Sequence, residues 1–459
     1  MDQSSFMRQF EQSLNHRADG FGRWEDFEPD PTITVDRAAV SDVLRELNDR
    51  LKIDYPYFHP RYAGQMLKPP HPVAILAYAT TMFVNPNNHA LDGGAATSQM
   101  EKEVIPQLAE MFGYPETHLG HLTSSGTIAN LEALWIARCI HPDKSIAVSD
   151  QAHYTHARAG ELLRTEIRSI PSDARGRIDI EALKAMLEAG EIGTVVATAG
   201  TTGLGAVDPI QQIRDLTAKA GVRLHVDAAY GGFFCLLATG AEPAIDPEPF
   251  LAIADSDSVV IDPHKHGLQP YGCGAVLFRD ASAGQFYQHD SPYTYFTSDE
   301  LHLGEISLEC SRAGASAAAL WATLKCLPLE PDCGIGPIVR RTREAGLSWA
   351  DHLRDRPRFR LTVEPDLDIV SFYALPADGE PSASAISALT RQIFDGTEND
   401  PDEPVYLATL RVNKSQIEAT HPEIVWDQPT IEVLRCVVMK PEHADWIPTI
   451  QAAIERHIG

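Results

Sequence analysis

Short apolar runs alternate with segments of helical periodicity between residues 120 and 280. The runs have the length of buried strands, and the segments between them repeat apolar residues every three or four positions, as amphipathic helices do. This alternation is typical of crossover units on a mainly parallel sheet with helices on both faces, so it predicts an α/β fold. Ligands of such sheets bind beyond the carboxyl ends of the strands. The predicted strands are SIAVSD (145–150), GTVVATAG (193–200), VRLHVDAAYGG with its glycine turn (222–232), SDSVVIDPHKH (256–266) and CGAVLFRD (273–280), and the predicted helices are HARAGELLRTE (156–166) and PIQQIRDLTAKAG (209–221).

The rest of the sequence flanks this region. Residues 1–70 mix proline, aromatic and charged residues around one amphipathic helix candidate at 38–51, which indicates an amino-terminal arm. The segment DGGAATSQMEKEVIPQLAEMFGY (92–114) is predicted to be a loop that runs into an amphipathic helix. We place a large domain at residues 71–335. A mixed strand and helix pattern after the helical stretch that begins at Glu305 predicts a small α+β domain at residues 336–459.

The composition excludes several classes of protein. With 44% hydrophobic and 22% charged residues, the 459-residue chain is globular rather than disordered. Its 38 Lys and Arg against 64 Asp and Glu give a net charge of −26, which argues against a nucleic-acid or membrane partner. The first residues do not show a basic start followed by an apolar run, and no stretch approaches ~18 uninterrupted apolar residues, so we expect neither secretion nor membrane spanning. The 7 cysteines are odd in number and never spaced as C-x-x-C, so we expect a reducing cytoplasm and neither a disulfide framework nor a zinc ribbon.

A cluster of small residues at the start of one helix is a candidate phosphate site. Ser125, Gly126 and Thr127 open the helix of LTSSGTIANLEALWIAR. Unpaired backbone N–H groups, the hydroxyls and the positive end of the helix dipole can hold a phosphate there. The same residues also make an ordinary helix cap, which for this segment alone is the more frequent role.

Three further residues close predicted strands. Asp227 ends an apolar strand and needs a cationic or N–H partner, or it caps the following turn. Lys265 follows a buried strand, where a desolvated amine can form a Schiff base, although most lysines are solvated. His153 could stack on an aromatic ligand. Its H-x-x-H spacing with His156 raises a metal site, which we set aside because no third ligand is indicated.

Together these residues are the parts that pyridoxal 5'-phosphate requires: a phosphate cradle, a stacking residue, a carboxylate for the ring nitrogen and a Schiff-base lysine. The sequence resembles the group II pyridoxal-phosphate-dependent decarboxylases, which include aromatic amino acid, tyrosine, glutamate and aspartate decarboxylases. HVDAAYGG (225–232) and DPHKHG (262–267) are the most specific motifs of this resemblance. The other matching segments are YFHPRYAGQMLKPPHPVAILA (57–77), SSGTIANLEAL (124–134), DQAHYTHARAG (150–160), TAGTTGLGAVDPI (198–210), ECSRAGASAAALWA (309–322) and LRCVVMKPEH (434–443).

The resemblance implies a fold-type I architecture, a homodimer with the active site at the subunit interface, and a role for each matching residue. Lys265 resembles the Schiff-base lysine, Asp227 the partner of the ring nitrogen, and Arg435 the arginine that meets the substrate carboxylate. Tyr293 or Tyr295 corresponds to the loop tyrosine that protonates the substrate carbon, and the sequence does not choose between them. The other expected cofactor contacts are Ser125, Gly126 and Thr127 at the phosphate, His264 near it, Thr202, and Ala229 and His153 on the two ring faces.

Two departures from the family pattern leave the substrate open. Gly94-Ala95-Ala96 replaces a Ser-Pro-Ala group on the substrate side, and Asp262 places an anion near the phosphate, which is unfavourable unless it is paired. The expected reaction is decarboxylation of an aromatic or acidic L-amino acid. Arg312 is a candidate cation for an acidic substrate. Tyr55, Tyr57, Phe58 and Phe83 either line an aromatic pocket or, as the commoner role, pack a dimer core.

The same cofactor machinery leaves three rivals. It could serve a carbon–carbon lyase of the sphingosine-phosphate lyase type or an oxidative aldehyde synthase. A lyase would need extra cations for a second phosphate, and no basic cluster in the sequence supplies them. A non-catalytic scaffold is disfavoured, because a silent protein has no need to keep Lys265, Asp227 and His153 together.

Overall fold

The structure is a computed structural model that describes residues 2–22, 24–25, 27–240, 242–288 and 301–458. Its strands are β1 (Leu119–Thr123), β2 (Ser145–Ser149), β3 (Ile167–Ile170), β4 (Ile192–Thr198), β5 (Arg223–Asp227), β6 (Ser258–Ile261), β7 (Gly274–Phe278), β8 (Phe359–Leu361), β9 (Ile369–Ala374), β10 (Ala408–Asn413) and β11 (Thr430–Val437). Its helices are α1 (Gln3–Phe21), α2 (Arg37–Leu51), α3 (Pro72–Met82), α4 (Leu91–Met111), α5 (Gly126–Ile140), α6 (Thr155–Leu163), α7 (Ile180–Glu188), α8 (Ile210–Ala220), α9 (Cys235–Ala238), α10 (Pro247–Leu251), α11 (Gly314–Cys326), α12 (Ile335–Arg354), α13 (Ala383–Glu398), α14 (Lys414–Ile417) and α15 (His443–Arg456).

A seven-stranded sheet in the order β1-β7-β6-β5-β4-β2-β3 forms the centre of the molecule. Its strands β3, β2, β4, β5 and β6 are parallel, and β7 pairs antiparallel with both β6 and β1. Every residue of β4 is buried, as expected for a central strand that is covered on both faces. The α/β fold is therefore confirmed, and the apolar runs predicted from the sequence correspond to β2, β4, β5, β6 and β7.

A second sheet is small and antiparallel, in the order β10-β11-β9-β8. Helices α12 and α15 pack together beside it, and α13 lies against β11. Trp349, Phe359 and Phe372 belong to its separate hydrophobic core. This sheet corresponds to the α+β pattern expected after residue 336, although the limits of the domains stay a prediction.

The amino-terminal segments contain more helix than the sequence pattern predicts. Helix α2 matches the candidate at 38–51, whereas α1 was not predicted, because it is polar and has no buried residue to give a clear period. The loop predicted at the start of residues 92–114 was wrong, because α4 already begins at Leu91. Gly94 kinks its first turn with φ −167° and ψ 63°, and the Thr97 hydroxyl donates to Asn88 Oδ1 across this turn.

Among the described residues, no helix combines the length and the apolar character that crossing a membrane requires.

Candidate active site

A cavity of about 240 Å³ lies where the parallel strands of the large sheet end. All nine residues predicted to contact the cofactor line it: Ser125, Gly126, Thr127, His153, Thr202, Asp227, Ala229, His264 and Lys265. A larger cavity of about 440 Å³, lined by Arg223, Asp257 and Arg279 among others, lies at the opposite ends of the strands. Its Arg223 already pairs with Asp257 at 3.3 Å, so we assign the chemistry to the smaller cavity.

Asp227 is the last residue of β5, and its carboxylate is held from two sides. Oδ1 accepts a hydrogen bond from the backbone N–H of Ala229 at 3.1 Å, and Oδ2 accepts one from His156 Nε2 at 3.0 Å. Burial alone would raise the pKa of this carboxyl, but the hydrogen bond and charge of His156 and the charge of Lys265 lower the pKa below its usual value. The buried Asp227 is therefore ionised and can stabilise a cation in the cavity.

Lys265 approaches the cavity from the turn after β6. Its Nζ lies 3.1 Å from Asp262 Oδ2, and its side chain is 20% exposed. Asp262 is buried, and its Oδ1 has no hydrogen-bond partner among the residues described. The anion that looked unfavourable in the sequence is thus paired with the lysine ammonium.

His264 lies beside this pair. Its Nδ1–H donates to the carbonyl of Cys273 at 2.8 Å, and its Nε2 is 3.6 Å from Asp262 Oδ2. Burial lowers the pKa of the imidazole. The ring of Tyr271 lies against it with centroids 4.8 Å apart. The imidazole therefore presents one nitrogen to the cavity.

The turn from β1 into α5 forms a cradle with little room for a side chain. Ser125 caps the helix by accepting a hydrogen bond from the Ile128 N–H at 3.4 Å. A Cβ added to Gly126 would lie 2.6 Å from Asp262 Oδ2, so glycine is required for this close approach. Asn130 donates to the Gly126 carbonyl at 2.9 Å and accepts from His225 Nε2 at 2.9 Å. These two hydrogen bonds of Asn130 connect the start of α5 to β5.

His153 stands half-buried at the start of α6. Its Nδ1 accepts from the Thr155 N–H at 3.3 Å and contacts the Thr155 hydroxyl at 2.6 Å, so the ring is fixed and Nε2 remains for other partners. Burial lowers the pKa of His153, and Lys265 and His156 lower it further. The next residue, Tyr154, is exposed and packs on this ring.

Arg435, on β11 of the small sheet, does not line the cavity itself but contacts two segments, at Gly203 and Gln65, whose neighbours Thr202 and Met66 do line it. Its Nε donates to the Gly203 carbonyl at 3.1 Å, and its Nη1 donates to Gln65 Oε1 at 3.3 Å. The residue is 4% exposed, yet Nη2 finds no partner in the described part of the chain. A buried, unpaired guanidinium donor next to the Thr202 loop is suited to binding a carboxylate.

Some predicted residues are not in this site. Arg312 does not line the cavity, because it forms a buried ion pair with Glu101 at 2.6 Å and donates to the Leu122 carbonyl. Gly94-Ala95-Ala96 lies in α4 and also does not line the cavity of this chain. Tyr293 and Tyr295 lie outside the described residues. Within the described ranges, no group of three His, Cys, Asp or Glu could hold a metal ion.

Several residues of the site were not predicted. His156, which we treated only as half of an H-x-x-H spacing, is the hydrogen-bond partner of Asp227. Its position three residues after His153, at the start of the helix that follows, was the available signal. Met66, Asn130, Thr198 and Tyr230 also line the cavity, but nothing in their local sequence separates them from core residues.

The residues of the cavity fit pyridoxal 5'-phosphate. The buried, ionised Asp227 suits a protonated ring nitrogen, and the start of α5 at Ser125–Thr127 lines the cavity and offers backbone N–H groups to a phosphate. Beside the cavity, the unpaired Nη2 of Arg435 suits a substrate carboxylate. Lys265 supplies the amine for the Schiff base. No residue of this set contradicts the expected group.

Comparisons with known proteins point in the same direction. The pyridoxal-dependent decarboxylase conserved domain matches residues 35–375. The probable L-tyrosine/L-aspartate decarboxylase of Methanothermobacter thermautotrophicus is 33% identical over 69% of this chain and 84% of its own length. The L-tyrosine decarboxylase of Enterococcus faecium is 30% identical over 80% of this chain and 77% of its own length. The crystal structure of mouse CSAD has the same fold, with a TM-score of 0.79 and 21% identity over 99% of this chain and 98% of that protein.

Proposed function

Because the chain belongs to the pyridoxal-dependent decarboxylase family, we propose that the cavity around Lys265, Asp227 and His153 is its catalytic site. The protein is a pyridoxal 5'-phosphate-dependent amino acid decarboxylase, a carboxy-lyase. The observation that carries the site assignment is that one cavity contains all nine expected cofactor contacts. The lyase and aldehyde-synthase alternatives have less support.

The cofactor and the protein divide the chemistry between them. Bound pyridoxal 5'-phosphate supplies an aldehyde that captures the substrate amino group and a cationic ring that accepts the electrons left by departing CO2. Asp227 holds a negative charge in a buried site, which keeps such a ring protonated. His153, with its fixed flat ring, and Ala229, with its small side chain, would contact the ring of the bound cofactor. The Ser125–Thr127 turn and His264 would hold its phosphate.

The remaining residues of the site bind the substrate, hold the amino group of Lys265 and donate a proton. Arg435 binds the α-carboxylate through its unpaired Nη2, which orients the bond to be broken. Asp262 holds the amino group of Lys265 when the lysine is displaced from the cofactor. Tyr293 or Tyr295 remains the proposed proton donor to the substrate carbon.

We propose an aromatic L-amino acid, with L-tyrosine first, as the substrate. The Enterococcus faecium and Methanothermobacter relatives carry tyrosine in their names. Arg312, the second cation considered for an acidic side chain, is occupied by Glu101. Arg435, the cation proposed for the α-carboxylate, lies beside the cavity, and no arginine among the described residues lines the cavity itself. We therefore propose no second guanidinium for a side-chain carboxylate, which favours an uncharged side chain.

L-Aspartate is the second candidate, because the Methanothermobacter relative is named for both amino acids. In a dimer, a cation from the partner subunit would have to bind its side-chain carboxylate. This requirement makes aspartate second rather than first.

The test is a CO2 and amine assay on purified protein reconstituted with pyridoxal 5'-phosphate. A panel of L-tyrosine, L-phenylalanine, L-tryptophan, L-aspartate and L-glutamate is run with wild type, Lys265→Ala and Lys219→Ala, an exposed lysine on α8. We expect tyramine from L-tyrosine with wild type and Lys219→Ala, and no product with Lys265→Ala. Amine from L-aspartate alone would make aspartate the substrate. Cofactor binding without CO2 release would overturn the decarboxylase assignment, and aldehyde with peroxide would indicate the synthase.

We also propose that the protein is a homodimer whose interface includes the amino-terminal helices. Val40, Val43, Leu44, Leu47 and Leu51 form one apolar stripe along α2, yet no residue of α2 is buried. Most of the exposed large apolar side chains in the described residues lie between residues 7 and 84. Such a concentrated apolar surface is typical of an interface, and a second copy of the chain would cover it with the same surface.

Substitutions on the two faces of α2 test the dimer. Leu44→Asp with Leu47→Asp should convert the dimer to a monomer in analytical ultracentrifugation. Arg45→Asp, on the polar face of the same helix, should leave the dimer intact. A wild-type protein that sediments as a monomer would overturn the proposal.

We further propose a reducing compartment such as the cytoplasm. All seven cysteines are free, and Cys310, Cys326 and Cys333 are exposed. Exposed free thiols are stable where the thiol pools of the cell keep them reduced.

A further inference from the structure

His156 makes the one side-chain hydrogen bond to Asp227 among the described residues. The bond joins Nε2 to Oδ2 at 3.0 Å, and the two side chains are 1% and 7% exposed. An N–H at Nε2 donates to the carboxylate in either protonation state of the ring. The other carboxylate oxygen is held by the Ala229 N–H, so both oxygens are fixed.

The contacts around His156 indicate no other role for its side chain. Its Nδ1 has no hydrogen-bond partner in the described part of the chain. The neighbouring His225 is bonded to Asn130 and Ser258 instead, at 2.9 Å each, and Lys265 is paired with Asp262. A buried imidazole with one nitrogen unpaired costs stability, and an apolar side chain would avoid that cost. Its retention therefore points to the bond with Asp227.

We propose that His156 is a positioning residue, which fixes the Asp227 carboxylate in the orientation and charge state that keep the ring nitrogen of the bound cofactor protonated. The inference rests on the assignment of this cavity as the cofactor site. His156 does not itself contact the substrate in this scheme. It acts through Asp227, in the way that hydrogen-bonded outer residues orient and tune the groups that touch a bound centre.

The hydrogen bond has two physical effects. First, it removes the rotational freedom of a buried carboxylate, so that the oxygen lone pairs point in a fixed direction. Second, it supports the ionised form of Asp227, because the carboxyl is deeply buried and burial alone would favour the neutral acid. Without the bond, a larger share of Asp227 would be protonated, and an electron-accepting ring would lose its counter-ion.

Two variants distinguish a positioning role of His156 from a role in packing alone. His156→Gln keeps a side-chain N–H donor that can reach Asp227, whereas His156→Leu keeps the bulk and removes the donor. Glu161→Leu, at an exposed site on the same helix, is the matched control. Each protein is reconstituted with ring-¹⁵N-labelled pyridoxal 5'-phosphate. The readouts are the ¹⁵N chemical shift of the ring nitrogen, the dissociation constant for the cofactor and the thermal midpoint of the protein without added cofactor.

We expect a protonated ring nitrogen in wild type, His156→Gln and Glu161→Leu, and a shift toward the unprotonated value in His156→Leu. The cofactor dissociation constant of His156→Leu should rise about 10- to 100-fold, the range seen when orienting groups are removed, and His156→Gln should recover most of it. A His156→Leu protein with the wild-type ¹⁵N shift and wild-type cofactor affinity would overturn the proposal. Equal losses in both His156 variants would also overturn it, since the donor would then be irrelevant. These readouts need no turnover, so they stand even if none of the tested amino acids is a substrate.

Discussion

The Lys265 amino group lies 3.1 Å from a carboxylate oxygen of Asp262, three residues before it in the same turn. This pair occupies the space between the phosphate cradle at Gly126 and the strand end at Asp227. Lysine as an ammonium ion is a poor nucleophile, so its partner decides how readily it becomes reactive. The carboxylate therefore restrains Lys265 whenever the lysine is free of the cofactor.

The Asp262→Asn variant tests this restraint. Loss of the ion pair should free the amino group of Lys265 and raise its labelling rate by an amine-selective reagent several-fold in protein without cofactor. Mass spectrometry of competitive labelling measures the rate, with Lys219 as an internal reference on the surface. An unchanged ratio of Lys265 to Lys219 labelling would show that Asp262 does not restrain the lysine.

Arg435 should act on substrate binding more than on turnover. Its Nη2 is buried and unpaired among the described residues, while Nε and Nη1 are held by Gly203 and Gln65. In Arg435→Lys the charge remains but the planar, pre-oriented donor is lost. We expect KM for the preferred amino acid to rise about 10- to 100-fold, in the range of a lost charge-assisted contact, with a smaller change in kcat. Equal KM values in variant and wild type would remove Arg435 from the substrate site.

Arg312, in contrast to Arg435, should contribute to the stability of the folded protein rather than to substrate binding. It is paired with Glu101 inside the protein, and Glu101 also accepts from Asn88 and from the Leu122 N–H. In Arg312→Met the Glu101 charge stays buried without its partner, which typically costs about 3–5 kcal/mol of unfolding free energy. Urea denaturation measures this loss, and the double variant Arg312→Met, Glu101→Gln should recover part of it. A stable Arg312→Met protein with a raised KM for L-aspartate would instead support a role at the substrate.

The central sheet and the cofactor contacts could be predicted from the sequence, because both follow from short segments of the chain and from the residues at their ends. The segments that form β4 and β5 are continuous apolar runs. Parallel strands place their carboxyl ends at the same edge of the sheet, regardless of the conformation of the loops between them. Asp227 and Lys265 each end such a run, so their meeting follows from topology alone. The kinked start of α4 could not be predicted, because it depends on contacts between Asn88 and Thr97.

Contacts between residues that are far apart in the sequence could not be predicted from the local sequence pattern. Arg312 looks free in CSRAG, and only the packing of α4 beside β1 shows that Glu101 binds it. The role of His156 could not be predicted from the H-x-x-H spacing, which raised only a metal site that we set aside. The structure shows instead that His153 lines the cavity and that His156 is bonded to Asp227. The role of α2 also needed the structure, since an amphipathic stripe does not reveal whether its own chain covers it.

The stability of the protein against acid should depend on His225, which lies on β5 two residues before Asp227. Burial lowers the pKa of His225 to about 3, from an ordinary value of 6.5. Because Asn130 Nδ2 donates to Gly126, its Oδ1 accepts from His225 Nε2–H, and His225 Nδ1 accepts from the Ser258 hydroxyl. The neutral ring thus satisfies both partners, whereas protonation would place a positive charge in a fully buried position.

The sign of the effect follows from proton binding. Below pH 6.5 the unfolded chain protonates His225 while the folded protein does not, so the contribution of His225 is fully present above pH 6.5 and is lost as the pH falls toward 3. Between pH 7 and pH 5 this linkage amounts to about 2 kcal/mol. Urea unfolding of wild type and His225→Gln at both pH values isolates it, because other titrating groups are common to the two proteins. We expect wild type to lose about 2 kcal/mol more than His225→Gln, whose amide keeps a donor and an acceptor but does not titrate. Parallel losses would mean that the folded protein protonates His225 as readily as the unfolded chain does.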